Sequence, residues 1–270
     1  MRTGFDMKIL LALLVLITCS FSGSAFALAA QPDKLIFCHE DENAFPWVFN
    51  QNKQRDGLDI HLIKLLANDL DIEVTLRSLP WKRCLLHLQM GLVDGAFAAS
   101  YRPERQTMGV YPTQENKELD VSKRIHVSSY YLYTAVDSKL AWNGREFSDL
   151  SGDISVQLGF SISGKLEEMG VSVNEVKGPE RALKNILSEL SQGAALQAER
   201  ADYILFSDPF FDGRIKKHKI VLTEKPYYLM LSFNLTSKYP AYSQFIWERL
   251  ALLRDSKAME SISRDFWQQR

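Results

Sequence analysis

The residues best placed for chemistry stand in one short run, Ser100-Tyr101-Arg102-Pro103-Glu104-Arg105, a polar turn that follows the small, apolar stretch Val93 to Ala99. That stretch has the character of a buried strand, and open α/β sheets bind ligands at the carboxyl ends of their strands. A planar guanidinium in such a turn can hold a carboxylate through two parallel hydrogen bonds. Other chemistries find less support. His39, His61, His87, His126 and His218 are scattered, and no C-x-x-C or H-E-x-x-H spacing occurs, so no metal site is expected. Gly159-Phe160-Ser161-Ile162-Ser163-Gly164 misses the G-x-S-x-G pattern of a nucleophile elbow by one residue. Asp41, Glu42 and Glu199 are the acids available for proton transfer, and each reads as a solvated loop charge. No catalytic residue and no cofactor are expected.

The elements that must position the turn can be read around it. Pro80 opens a helix whose Trp81, Cys84, Leu85 and Leu88 share a face, and Gly91 closes it. Upstream, Leu35 to Cys38 is a short apolar run suited to a central strand buried on both faces. A polar and aromatic loop, His39 to Trp47, follows it, and Gln51 to Gly57 reads as a turn. Asp59 is expected to cap a helix carrying Leu62, Ile63, Leu66 and Leu70, before a strand through Ile72, Val74 and Leu76. The order is β-α-β-α-β, which predicts a mostly parallel sheet.

Beyond Arg105 the chain changes character. Val127 to Val136 is strand-like and rich in Tyr and Ser, as a crossover between two lobes would be. A second α/β unit follows: a strand at Ile154 to Leu158, a turn at 159–164 leading into a helix, and a strand at Val171 to Val176. Glu180 to Leu190 is an amphipathic helix, Ala194 to Ala198 a short apolar segment, and Asp202 to Leu205 the start of another helix. Ile220 to Leu222 and Tyr228 to Ser232 read as two strands, and two amphipathic helices end the chain.

Composition sets outer limits. The 270 residues carry a net charge of −1, and residues 1–30 contribute +1 of it through Arg2, Lys8 and Asp6, leaving −2. Nucleic acid is not expected as a partner, because phosphate binding needs a concentrated basic face. At the N-terminus Arg2 and Lys8 lead into the apolar run Ile9 to Ile17, and Ala25 and Ala27 supply an A-x-A site. This pattern predicts a cleavable secretory signal over residues 1–27 and a periplasmic protein. Export would leave Cys38 and Cys84 in an oxidising setting, where a disulfide between them is expected; two separate buried thiols are the alternative.

Several short motifs recur in order: Ala44-Phe45-Pro46-Trp47, Gly57-Leu58-Asp59-Ile60, Gly91-Leu92-Val93-Asp94-Gly95, Glu104-Arg105, Val156-Gln157-Leu158-Gly159 and Phe266-Trp267. With these motifs the chain resembles the extracellular solute-binding proteins of family 3, the periplasmic binders of polar amino-acid ABC transporters. The resemblance implies an α/β, type II periplasmic-binding-protein fold, in which two lobes joined by two crossover strands hold a ligand in the cleft between them. Lobe 1 would comprise 33–128 and 231–270, and lobe 2 would comprise 129–230. It implies that Arg105 binds a ligand carboxylate and that Ser100 contributes beside it. Phe45, Trp47 and Trp81 would form aromatic walls, and Ser161 would contribute from the second lobe. An aspartate usual in the second lobe of amino-acid binders falls at Ala198, leaving Gln197 or Glu199 as substitutes or a ligand other than an ordinary α-amino acid. The expected partners are a small molecule carrying a carboxylate and an ABC transporter permease or a membrane sensor, and the protein is expected to be a monomer. A periplasmic lyase or dehydratase on the same scaffold is the alternative, since fold does not fix function.

Overall fold

The computed structural model describes residues 31–48 and 56–268. The signal expected over 1–27 and most of the turn expected at Gln51 to Gly57 lie outside the described residues. The chain begins with β1 (Lys34–Glu40), α1 (Leu58–Asp69), β2 (Glu73–Leu79), α2 (Trp81–Gln89) and β3 (Gly95–Ser100). β1 pairs in parallel with β2 on one side and β3 on the other, so its apolar residues are buried on both faces. Pro80 is the N-cap of α2, where a missing N–H leaves no helical acceptor unserved. The cap of α1 is Gly57 rather than Asp59. A Cβ on Gly57 would lie 2.2 Å from the Trp47 carbonyl oxygen, so only glycine lets the Ala44–Val48 loop close onto this helix. Asp59 turns inward instead and meets His126.

The chain then crosses over as β4 (His126–Ala135), forms a two-stranded flap from β5 (Ala141–Trp142) and β6 (Phe147–Ser148), and builds a second α/β unit. That unit contains β7 (Ile154–Gln157), α3 (Ile162–Glu168), β8 (Val173–Val176), α4 (Pro179–Leu187), β9 (Gly193–Gln197) and α5 (Ala198–Ser207). A single long strand, β10 (Ile215–Leu231), returns to the first unit. The two separate strands expected at 220–222 and 228–232 merge into it, except for Ser232, which caps the next helix. The intervening Lys225-Pro226 does not break the strand, because the backbone there stays paired in register with β4. Three helices complete the chain: α6 (Phe233–Lys238), α7 (Pro240–Arg254) and α8 (Lys257–Gln268).

All strands but the flap form one continuous sheet in the order β2-β1-β3-β10-β4-β9-β7-β8. The antiparallel pair β10 and β4 lies at its centre, and an α/β lobe lies on either side. One core packs Leu35, Phe37, Ile63, Leu66, Phe97, Leu229 and Trp247 of the first lobe. Another packs Tyr130, Ile154, Val156, Ile162, Leu166 and Ala195 of the second. Cys38 and Cys84 form a disulfide with Cα atoms 5.7 Å apart, tying α2 to β1. Among the described residues no helix is long and apolar enough to cross a membrane.

Candidate functional site

The strand ends of the first lobe face the second lobe across a narrow gap lined by Glu40, Trp81, Phe97, Ala98, Ser100, Arg105, Phe160 and Tyr227. Arg105 sits in a short 3-10 turn just after β3, with only 4 % of its surface exposed. One Nη donates to the carbonyl and hydroxyl of Ser100; the other crosses to the second lobe and donates to the Gly159 carbonyl at 2.8 Å. Its Cζ lies 5.4 Å from the centre of the Trp81 ring, a cation–π contact. All the hydrogen-bond partners are uncharged oxygens, and among the described residues Arg105 enters no ion pair. A buried guanidinium with polar but uncharged partners is electrostatically primed for an anion.

The turn that receives Arg105 depends on Gly159, whose φ of +76° is in the left-handed region. That conformation aims the carbonyl at the first lobe. Two residues on, the Ser161 hydroxyl accepts a 2.7 Å hydrogen bond from the buried Ser100 hydroxyl. Lys225 donates to the Ser161 carbonyl at 3.0 Å, and burial among Arg105, Lys165 and Arg102 pulls its ammonium down to about 8. Tyr111 donates to the Ser100 carbonyl at 2.7 Å, and the hydroxyls of Tyr130 and Tyr227 meet at 2.8 Å beneath the gap. Burial pushes Tyr111 and Tyr227 up to about 12, so both phenols stay protonated donors.

A β-bulge shapes one wall. β3 and β10 lose register between Ala99 opposite Tyr228 and Ala96 opposite Met230, leaving one extra residue on β3. Ala98 takes a left-handed φ of +59°, rare for a residue with a Cβ. The bulge turns Phe97 and Ala98 so that both line the gap.

At the other wall Glu40, the last residue of β1, meets Arg200 of α5 at 2.7 Å, with Arg200 only 2 % exposed. The second Glu40 oxygen accepts from Gln157 Nε2 at 3.1 Å. Arg200 also donates to the Asn43 carbonyl, and its Cζ lies 5.3 Å from the Phe160 ring centre. Burial drives the Glu40 carboxyl upward, and Arg200, with the Gln157 hydrogen bond, opposes that rise.

The residues singled out from sequence therefore separate into groups. Arg105, Ser100, Trp81 and Ser161 converge on the gap or on its hydrogen bonds. Gln197 ends β9, buried and in register with Tyr130. Phe45 and Trp47 lie elsewhere. Phe45 stacks on Tyr203 at 4.4 Å and packs against Phe266 and Trp267. Trp47 stacks on His126 at 3.9 Å, and His126 stacks in turn on Tyr227. Neither lines the gap: the loop after β1 folds back on itself through bonds between Ala44 and Val48, which buries Phe45 and leaves Trp47 half-buried. Of the acids considered for proton transfer, Glu199 accepts from Ser128, while Asp41 and Glu42 line an outer groove. Sequence reading missed Glu40, Gln157, Arg200 and Tyr227.

The fold is shared with known proteins. Residues 36–139 match the model of the bacterial extracellular solute-binding proteins, family 3. That match runs from β1 through β4 and covers less than half of the chain. The ligand-binding core of GluR0 from Nostoc punctiforme, solved with L-glutamate, superposes with a TM-score of 0.65 at 18% identity over 86% of this chain and 98% of that one. A histidine kinase sensor domain with similarity to periplasmic binding proteins gives 0.71 at 16% identity, over 86% and 95% of the two chains. An ancestral amino-acid-binding protein, precursor of a cyclohexadienyl dehydratase, gives 0.63 at 17% identity over 87% and 95%. At these identities the likeness establishes the fold, a type II periplasmic-binding architecture. No curated protein matches the chain.

Proposed function

We propose that this is a periplasmic solute-binding protein that captures a small carboxylate-bearing molecule between its lobes, closes about β4 and β10, and hands the solute to an ABC transporter permease. The observation that carries this reading is Arg105, a buried guanidinium at a strand end whose hydrogen bonds all go to uncharged oxygens and one of which already spans the lobes. A carboxylate entering there would supply the missing negative charge at bidentate geometry. The Gly159 and Ser161 contacts give the closed form its own interactions, and only such differential interactions can couple binding to closure. Binding of amino acids by several proteins of this fold agrees with a small solute.

The test is a thermal-shift screen of amino acids, organic acids, polyamines and small peptides, followed by calorimetry of each hit against Arg105→Ala. Carboxylates should raise the melting temperature, and the variant should lose their binding while keeping its fold. Unchanged affinity in a folded Arg105→Ala protein would remove Arg105 from the site.

A further inference from the structure

The charges enclosed around the gap say which carboxylates can be held there. Arg105 brings a positive charge that, among the described residues, enters no ion pair. Among the described residues Glu40 is the one carboxylate lining the gap, and it is already engaged on both oxygens, by Arg200 and by Gln157. Glu40 and Arg200 cancel, so the walls carry a single uncompensated positive charge. Lys225 stands outside the lining of the gap, behind Ser161, where it donates to the Ser161 carbonyl. A buried charge left without a counter-charge is costly, and that cost falls on the closed form that must enclose the solute.

Resting on the carboxylate reading above, we propose that the cleft selects its solute by net charge, taking small carboxylates with a single net negative charge over zwitterionic, cationic and doubly negative ones. A singly negative solute brings the enclosed sum to zero. A zwitterion with one carboxylate adds nothing, so the Arg105 charge stays uncompensated. A cationic amino acid worsens the imbalance, and a dicarboxylate lacking an amine reverses its sign.

Matched probes separate charge from size. At neutral pH glutarate, glutamate and glutamine share a five-carbon frame and carry two, one and no net negative charges; lactate and alanine repeat the last contrast on three carbons. Calorimetry on the purified protein should find glutamate at least about tenfold tighter than glutamine and glutarate, and lactate at least about tenfold tighter than alanine, a modest demand on one charge in a poorly solvated site. Glu40→Gln keeps the shape of the side chain and removes its charge, so the preference should move towards glutarate over glutamate.

If glutamine, alanine or arginine binds as tightly as the anions, the inference fails while the carboxylate reading stands, since all of them carry an α-carboxylate. If none of the probes binds, or if binding survives Arg105→Ala, the carboxylate reading fails and the inference with it. A folded Glu40→Gln protein whose glutarate to glutamate ratio matches wild type also overturns the inference. The wild-type series needs no variant to fold.

Discussion

Glu40 and Arg200 stand 160 positions apart in the chain and meet at 2.7 Å across the cleft, one at the carboxyl end of β1 and the other in the first turn of α5. Both side chains are almost wholly withdrawn from water. Removing one partner leaves the other charge buried and unpaired, so Arg200→Met or Glu40→Leu should each cost about 3–5 kcal/mol. The double substitution should recover most of that loss, because an apolar pair has no desolvation cost to offset. Urea unfolding of the four proteins measures the coupling, and purely additive losses would mean that the pair is not a functional unit.

Phe45 and Trp47 separate stability from binding. Phe45 is packed among Tyr203, Phe266 and Trp267, so Phe45→Ala should lower stability by about 3–5 kcal/mol. A solute found in the thermal-shift screen should still bind the folded fraction with nearly wild-type affinity. A tenfold weaker affinity at unchanged stability would return Phe45 to the ligand.

Lys225 gives a signature in pH. Its ammonium is pulled down to about 8 in the folded protein, whereas the unfolded chain holds that proton up to about 10.5. Between those values the unfolded state binds more protons, so this residue's contribution to stability rises with pH across the window and is constant below it. Relative to Lys225→Met, wild type should become progressively more stable from about pH 8 upward in parallel urea titrations. A difference that does not change with pH would show that Lys225 is solvated.

The disulfide closes a 46-residue separation that spans α1 and β2. Replacing Cys38 and Cys84 together by Ser should lower stability by about 2–4 kcal/mol under oxidising conditions. Adding a reductant should then affect wild type and leave the variant unchanged, a comparison that thermal unfolding with and without dithiothreitol makes directly.

Much of this fold was legible because it is local. The apolar runs of β1 and β3, the Pro80 start of α2 and the spacing of helical apolar residues each carry their own signal, and Ser100 and Arg105 follow once β3 is placed. β10 was not legible as one strand, because Ile215 to Lys219 is polar and Lys-rich, as an edge that lacks the β3 partner can be. The Glu40–Arg200 pair left no local trace. Arg200 sits in a helix among Ala198, Glu199, Ala201 and Asp202, a setting that resembles an exposed face, and only the meeting of the two lobes buries it. The bulge at Ala98 was equally silent, since nothing about an alanine in a small apolar run announces a left-handed backbone.

The central place of β10 also dictates an order of assembly. Residues 126 to 222 run unbroken from β4 into the first part of β10, so the pairings of β4, β7, β8 and β9 can form before the chain beyond them. The first lobe has no such freedom: β3 gains its second neighbour only when residues 227–231 arrive, and α7 and α8, which pack on α1, come later still. The segment from β1 to β3, first in the chain, is therefore completed last, and its apolar strands stay uncovered until the final residues are in place.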